Sequence, residues 1–187
     1  MKTIIWDVDD VLNNLMQEWF EEHWLSSHPE CKLKYEDLIE NPPDKLLGIT
    51  LNEYRESLDE FRKSNCAQFK PTSEVYDWFK KNGSKYRHIA LTAVPLALAH
   101  ISAAWVYQYF GNWIRSFHIV PSPRETDPLF KYDLSKNDFL KWFDKGDIFI
   151  DDNLNNIEGA NILGLKTIIF PRPWNNSVCS VLESLNF

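Results

Sequence analysis

Residues 3–12, Thr-Ile-Ile-Trp-Asp-Val-Asp-Asp-Val-Leu, decide the fold of this chain. Thr3 to Trp6 form a short, partly β-branched apolar run that stops at Asp7-Val8-Asp9-Asp10. Such a run reads as a buried strand, and the acids fall where its carboxyl end leaves the sheet. Beyond it the period changes. Leu12, Leu15, Met16, Trp19, Phe20 and Trp24 recur at helical spacing.

Further along, from about Ser26 to Pro71, proline-rich turns and short helical patterns appear without a convincing strand. One helix start is explicit: Thr50-Leu-Asn-Glu53 matches a capping box and is followed by Tyr54, Leu58 and Phe61. After Pro71 strands and helices alternate. Helices are expected at Ser73–Lys81, Leu96–Phe110, Ser135–Phe143 and Leu154–Leu163, and strands at Arg87–Leu91, Phe117–Val120, Asp147–Ile150 and Lys166–Phe170. That alternation predicts an α/β fold, a three-layer Rossmann-like parallel sheet covered on both faces. The segment 13–70 interrupts it and reads as a small inserted helical cap, leaving residues 1–12 and 71–187 as the catalytic core.

Composition sets the outer limits. The chain has 187 residues, 44% hydrophobic and 25% charged, which suits one core or a core with a small insertion. A formal net charge of −7 argues against binding to long nucleic acid, which needs a basic surface. A small phosphorylated metabolite stays open, since a metal ion can reverse the field inside one cleft. Cys31, Cys66 and Cys179 are scattered and odd in number, so neither a disulfide framework nor a zinc site is expected. No apolar run near the start is long enough for a signal peptide or membrane span, and the default expectation is the cytoplasm.

Ligands of open α/β sheets bind at the carboxyl ends of the strands. Three expected strands end in chemically capable residues: Asp7-Val8-Asp9-Asp10, Thr92, and Asp151-Asp152. These stretches, IIWDVDDVL, HIALTA and DIFIDD, resemble in order the first, second and fourth motifs of the haloacid dehalogenase superfamily. The resemblance implies a magnesium-dependent phosphatase working through an aspartyl-phosphate. Asp7 would be the nucleophile and Asp9 the general acid/base. Thr92, Ala93 and Lys136 would bind the phosphoryl group. Magnesium would be held by Asp7, the Asp9 main-chain carbonyl and Asp152, with Asp151 as a supporting or alternate ligand. Lys136 follows Ser135, an N-cap candidate, where the family places its lysine; Lys131 is the runner-up, and Lys141 and Lys145 read as surface charge.

Within that superfamily the cap position, the D-V-D-x-V-L opening and the T-A-x-P turn resemble the small 5'(3')-deoxyribonucleotidases. That likeness implies a nucleoside monophosphate as substrate, with a sugar phosphate as the alternative. Aromatics of the cap would then stack on the base, the candidates being Trp19, Trp24, Phe61 and Phe69, although the helical spacing of Trp19 favours the core for it. Two departures stand out: that branch has glycine at the position of Asp10 and arginine at that of Val94. Arg124 is a candidate phosphate contact. A signalling receiver is disfavoured because no strand ending in Asp intervenes before Thr92, and dehalogenation because that chemistry lacks the second aspartate. A non-catalytic binding protein of the same fold is the remaining rival.

Overall fold

The computed structural model describes residues 1–124, 127 and 130–186. Its sheet has five parallel strands in the order β3-β2-β1-β4-β5: β1 Thr3–Trp6, β2 Arg87–Val94, β3 Ile114–Pro121, β4 Ile148–Asp151 and β5 Lys166–Ile169. β1 lies at the centre, with Trp6 in register with Ala90 on one side and Ile150 on the other. Alternate side chains of β1 serve two separate cores. Ile4 and Trp6 enter one core and Ile5 the other, as the two-residue period of a strand requires. A parallel sheet must be covered on both faces, which is why β1 carries no polar alternation.

The helices divide accordingly. α5 (Ser73–Asn82) and α6 (Leu96–Phe110) give Val75, Phe79, Trp105 and Phe110 to the Trp6 core. α7 (Lys136–Trp142) and α8 (Leu154–Ile162) give Phe139, Leu140 and Ala160 to the Ile5 core. A short α9 (Val181–Ser184) ends the series. None of the helices among the described residues is long and apolar enough to cross a membrane.

Between β1 and α5 the described elements are helical. The helical run over residues 15–27 comprises α1 (Leu15–Glu18), a π-helical stretch (Trp19–Trp24) and α2 (Leu25–Ser27); α3 (Asp44–Leu47) and α4 (Leu51–Asn65) follow. α4 starts where its capping box lies: Thr50 accepts from the Glu53 N–H at 3.2 Å, and Glu53 accepts from the Thr50 N–H at 2.8 Å. The ends of the segment meet, with Asn13 bridged to Pro71 and the Thr72 N–H donating to Leu12 O at 2.8 Å. Its buried residues, among them Trp19, Phe20, Phe61 and Phe69, belong to the same core as Trp6 and Trp105.

Three differences from the sequence reading have physical causes. β2 runs to Val94 rather than Leu91, because Thr92, Ala93 and Val94 stay in register with Ile119, Val120 and Pro121 of β3. β3 likewise starts at Ile114, three residues before the expected Phe117. Leu12 precedes the first helix instead of opening it, because the backbone turns at Asp10.

Candidate active site

β1, β2 and β4 end side by side, and the chain leaving them lines one cavity of about 160 Å3. Asp7, Asp9, Thr92, Ala93, Lys136 and Asp152 all line it; from the helical segment come Leu15, Met16, Asn41, Tyr54, Leu58 and Arg62. The residues nominated for catalysis, phosphoryl binding and metal are thus brought together, with Asp151 outside the lining but bonded to Lys136.

Lys136 occupies the first turn of α7, whose N-cap Ser135 accepts from the Asp138 N–H. Its side chain runs into the site rather than out to water. Nζ donates to Asp7 Oδ1 at 2.6 Å and to Asp151 Oδ2 at 2.7 Å, and the lysine is only 4% exposed. Burial works against its charge, yet Asp151 and Asp7 outweigh it and hold the ammonium above its ordinary pKa. Lys131 is exposed and lines a different hollow with Phe117 and His118. Lys141 and Lys145 form surface pairs with Asp138 and Asp144.

Asp7 and Asp152 have oxygens to spare; Asp151 does not. Asp151 Oδ1 accepts from the Asn153 N–H (2.8 Å) and Asn156 Nδ2 (3.1 Å), and its Oδ2 from Lys136 and Asn156 Nδ2 (3.2 Å). Those bonds use its full acceptor capacity. Asp7 Oδ1 is shared between Lys136 and the Val8 N–H, and Asp152 Oδ2 takes the Trp174 indole N–H at 2.6 Å. Among the described residues no hydrogen bond reaches Asp7 Oδ2 or Asp152 Oδ1. One carboxylate oxygen from each of Asp7, Asp151 and Asp152 lies within 4.8 Å of the others, and oxygens of this kind, where free, suit a hard divalent cation.

The electrostatics point the same way. Burial pushes Asp7 well above the ordinary carboxylate range against the pull of Lys136, with Asp151 and Asp152 adding to the rise. Asp152 is pushed up to about 7, by burial first and then by Asp151 and Asp10. Several buried acids face one lysine, so negative charge is in excess.

Asp9 Oδ2 is held by Arg62 Nη2 at 2.6 Å, and its Oδ1 by Asn13 Nδ2 at 3.1 Å. Arg62 also meets Asp59 at 3.3 Å, and Asp59 pairs with Arg124 at 2.7 Å. Arg124, a candidate phosphate contact in the sequence, therefore spends its guanidinium on α4. Asp10 has φ +60°, a left-handed conformation that Asp tolerates better than most side chains. Its N–H donates to Asn13 Oδ1, and its own Oδ1 accepts from the Met16 N–H at 2.9 Å, securing the start of the first helix. Glycine would suit that backbone as well. Burial raises the Asp10 carboxyl to about 7 despite Arg172 nearby.

The four aromatics nominated for stacking do not line the cavity; the aromatic of the helical segment that does is Tyr54. Trp19, Phe61 and Phe69 are 0%, 2% and 2% exposed, and Trp24 is buried with them in the shared core. The expectation that they present faces to a base is corrected: they close the interface between the helical segment and the sheet. Val94 is buried at the end of β2.

Four contributors escaped the sequence reading. Arg62 looks like an ordinary cation in the last turn of a helix. Arg172, Trp174 and Asn175 follow β5 in a stretch without a motif, marked by the turn signals Pro171 and Pro173.

No protein-family model matches the chain, and no curated protein matches it. Solved structures do. A haloacid dehalogenase-like family hydrolase from Streptococcus pneumoniae superposes with TM-score 0.55 at 13% identity, over 100% of this chain and 91% of that one. A candidate β-phosphoglucomutase from Thermotoga maritima gives 0.58 at 14% identity, over 100% and 97%. A candidate hydrolase of the same superfamily from Bacillus subtilis, bound to magnesium, gives 0.52 at 13%, over 90% and 88%. The chain shares their fold.

Proposed function

We propose that this chain, built on the haloacid dehalogenase-like fold, is a magnesium-dependent phosphatase acting through an aspartyl-phosphate on a small phosphorylated metabolite. The observation that carries the reading is Lys136 bridging Asp7 and Asp151 at the floor of a cavity that Asp9 and Thr92 also line. The Asp7 carboxylate forms the bond to phosphorus as the ester P–O bond breaks, and protonated Asp9 gives its proton to the departing oxygen. Asp9 then takes a proton from water, which attacks phosphorus and releases Asp7. Arg62, 2.6 Å from Asp9 Oδ2, orients the carboxyl that serves both steps. Thr92, Ala93 and Lys136 orient the phosphoryl oxygens, and Lys136 offsets charge on both nucleophile and phosphoryl group. Asp7, Asp152 and the Asp9 carbonyl would hold magnesium, whose chemistry is to neutralise phosphoryl charge. Asp151, with its acceptors used, supports Lys136 instead.

Substrate size favours a sugar phosphate or similar small ester over a nucleoside monophosphate. The cavity of about 160 Å3 is well below the roughly 300–1,000 Å3 of typical ligand pockets, and the aromatics that motivated base stacking are core residues. The nucleotide reading keeps its support in the wording of the motifs. Phosphate release with magnesium should be compared for a sugar phosphate and a pyrimidine deoxynucleotide, with Asp7→Asn as control. Asp7→Asn should fold and lose several orders of magnitude of turnover. Near-normal turnover in that variant sinks the mechanism; a clear preference for the deoxynucleotide restores the nucleotidase reading.

A further inference from the structure

The turn that follows β5 is bonded to both acidic loops of the site. Arg172 donates through Nε to Asp10 O at 2.6 Å and through Nη2 to Asn13 O at 3.1 Å and Asn14 Oδ1 at 2.8 Å. Asn175 Nδ2 donates to Asp152 O at 2.8 Å and to Phe170 O at 2.7 Å, while its Oδ1 accepts from the N–H groups of Arg172 and Ser177. Trp174, between them, donates its indole N–H to Asp152 Oδ2 at 2.6 Å. The edge-on ring of Tyr35, centroids 6.3 Å apart and planes at 89°, packs against that indole. One short turn thus sets the backbone of Asp152, the rotation of its carboxylate, and the path of the loop bearing Asp9.

We infer that Trp174 is a positioning residue for metal binding: by occupying Oδ2 it fixes the Asp152 carboxylate so that Oδ1 is the oxygen offered to the cation. The inference rests on the metal reading above. A freely rotating carboxylate could meet the cation with either oxygen, or turn to take the Lys136 ammonium away from Asp7 and Asp151. A donor locked to one oxygen removes both options before the cation arrives. An indole suits the task, since it donates one hydrogen bond and accepts none, so it cannot compete for the cation. Partners that orient a metal ligand in this manner typically alter affinity by about 10–100-fold when removed.

The test is calorimetric titration of the full chain with magnesium alone, for wild type, Asp152→Asn and Trp174→Phe. The Phe ring keeps an aromatic side chain beside Tyr35 and removes the donor together with the pyrrole ring. The expected result is a Kd at least about tenfold higher in Trp174→Phe, with an unchanged melting temperature in EDTA. Equal affinity in wild type and Trp174→Phe overturns the inference while leaving the metal reading intact. Absence of magnesium binding in wild type overturns both. Should Trp174→Phe melt earlier in EDTA, 3-benzothienyl-alanine at position 174 replaces the N–H by sulfur at constant shape, and the same tenfold criterion decides.

Discussion

Lys136 joins Asp7 and Asp151 at 2.6 and 2.7 Å, and among the described residues it is the lysine that lines the cavity. A buried ion pair is of little net value beside an apolar substitute, but removing one partner leaves an uncompensated charge at a cost of about 3–5 kcal/mol. Lys136→Met should therefore do two separable things. Turnover should fall by about two orders of magnitude or more, as when a preorganised charge-stabilising group is lost. Stability in EDTA should fall as well, and magnesium should recover a larger part of it than in wild type, since the cation replaces the missing positive charge. Chemical denaturation with and without magnesium checks the second effect. A variant of wild-type turnover would mean that the charge of Lys136 plays no part in the reaction.

At the scale of elements, α4 brings Arg62 to Asp9 and Tyr54 and Leu58 to the cavity wall, so its start sets the register of three site residues. The capping box at Thr50 fixes that start. Thr50→Ala leaves the first turn without its side-chain acceptor and should cost about 1 kcal/mol, read as a lower denaturation midpoint at unchanged slope. If activity falls further than stability explains, the register of Arg62 against Asp9 is the sensitive feature. An unchanged midpoint would show that packing against the sheet, and not the cap, anchors the helix. The helical segment shares its core with the sheet, and Trp105 Nε1 on α6 donates to Phe69 O at 2.9 Å. That continuity ties the cavity wall to the sheet. We propose the joint of the inserted unit at Asn13 and Pro71, where its ends meet.

For the molecule as a whole, acid stability should turn on His88. It is buried in β2, where Nδ1 accepts from Trp6 Nε1 at 3.0 Å and Nε2 lies 2.8 Å from Gly83 O. These partners require the neutral ring with its proton on Nε2: a proton on Nδ1 would face the indole N–H. Burial lowers the pKa accordingly, with the Gly83 carbonyl working the other way. Because the folded pKa is depressed, the unfolded chain takes up a proton first. The contribution of His88 is complete above the unfolded value of about 6.5 and is lost as pH falls below it toward the folded pKa. Denaturation midpoints at pH 8 and pH 5.5 should differ more for wild type than for His88→Gln, whose amide offers an acceptor and a donor without titrating. Equal differences in the two proteins would remove His88 as the acid-sensitive group.

The sequence by itself determined the sheet and nominated most residues of the candidate site. The apolar run Thr3–Trp6, the strand–helix alternation after Pro71 and the acids at strand ends are local patterns, and the backbone obeys them because strand period and helix period are local properties. The place of Lys136 in the first turn of a helix was legible for the same reason, since Ser135 caps that helix, while its choice over Lys131 came from the family resemblance. Tertiary structure alone decided the rest. Whether Trp24, Phe61 and Phe69 face a ligand or a core depends on which surface the segment packs against, which no local spacing reveals. Arg62 reaches Asp9 across 53 residues of chain and Arg172 reaches Asp10 across 162. No local pattern encodes such pairings, because they exist only once folding has placed distant segments side by side.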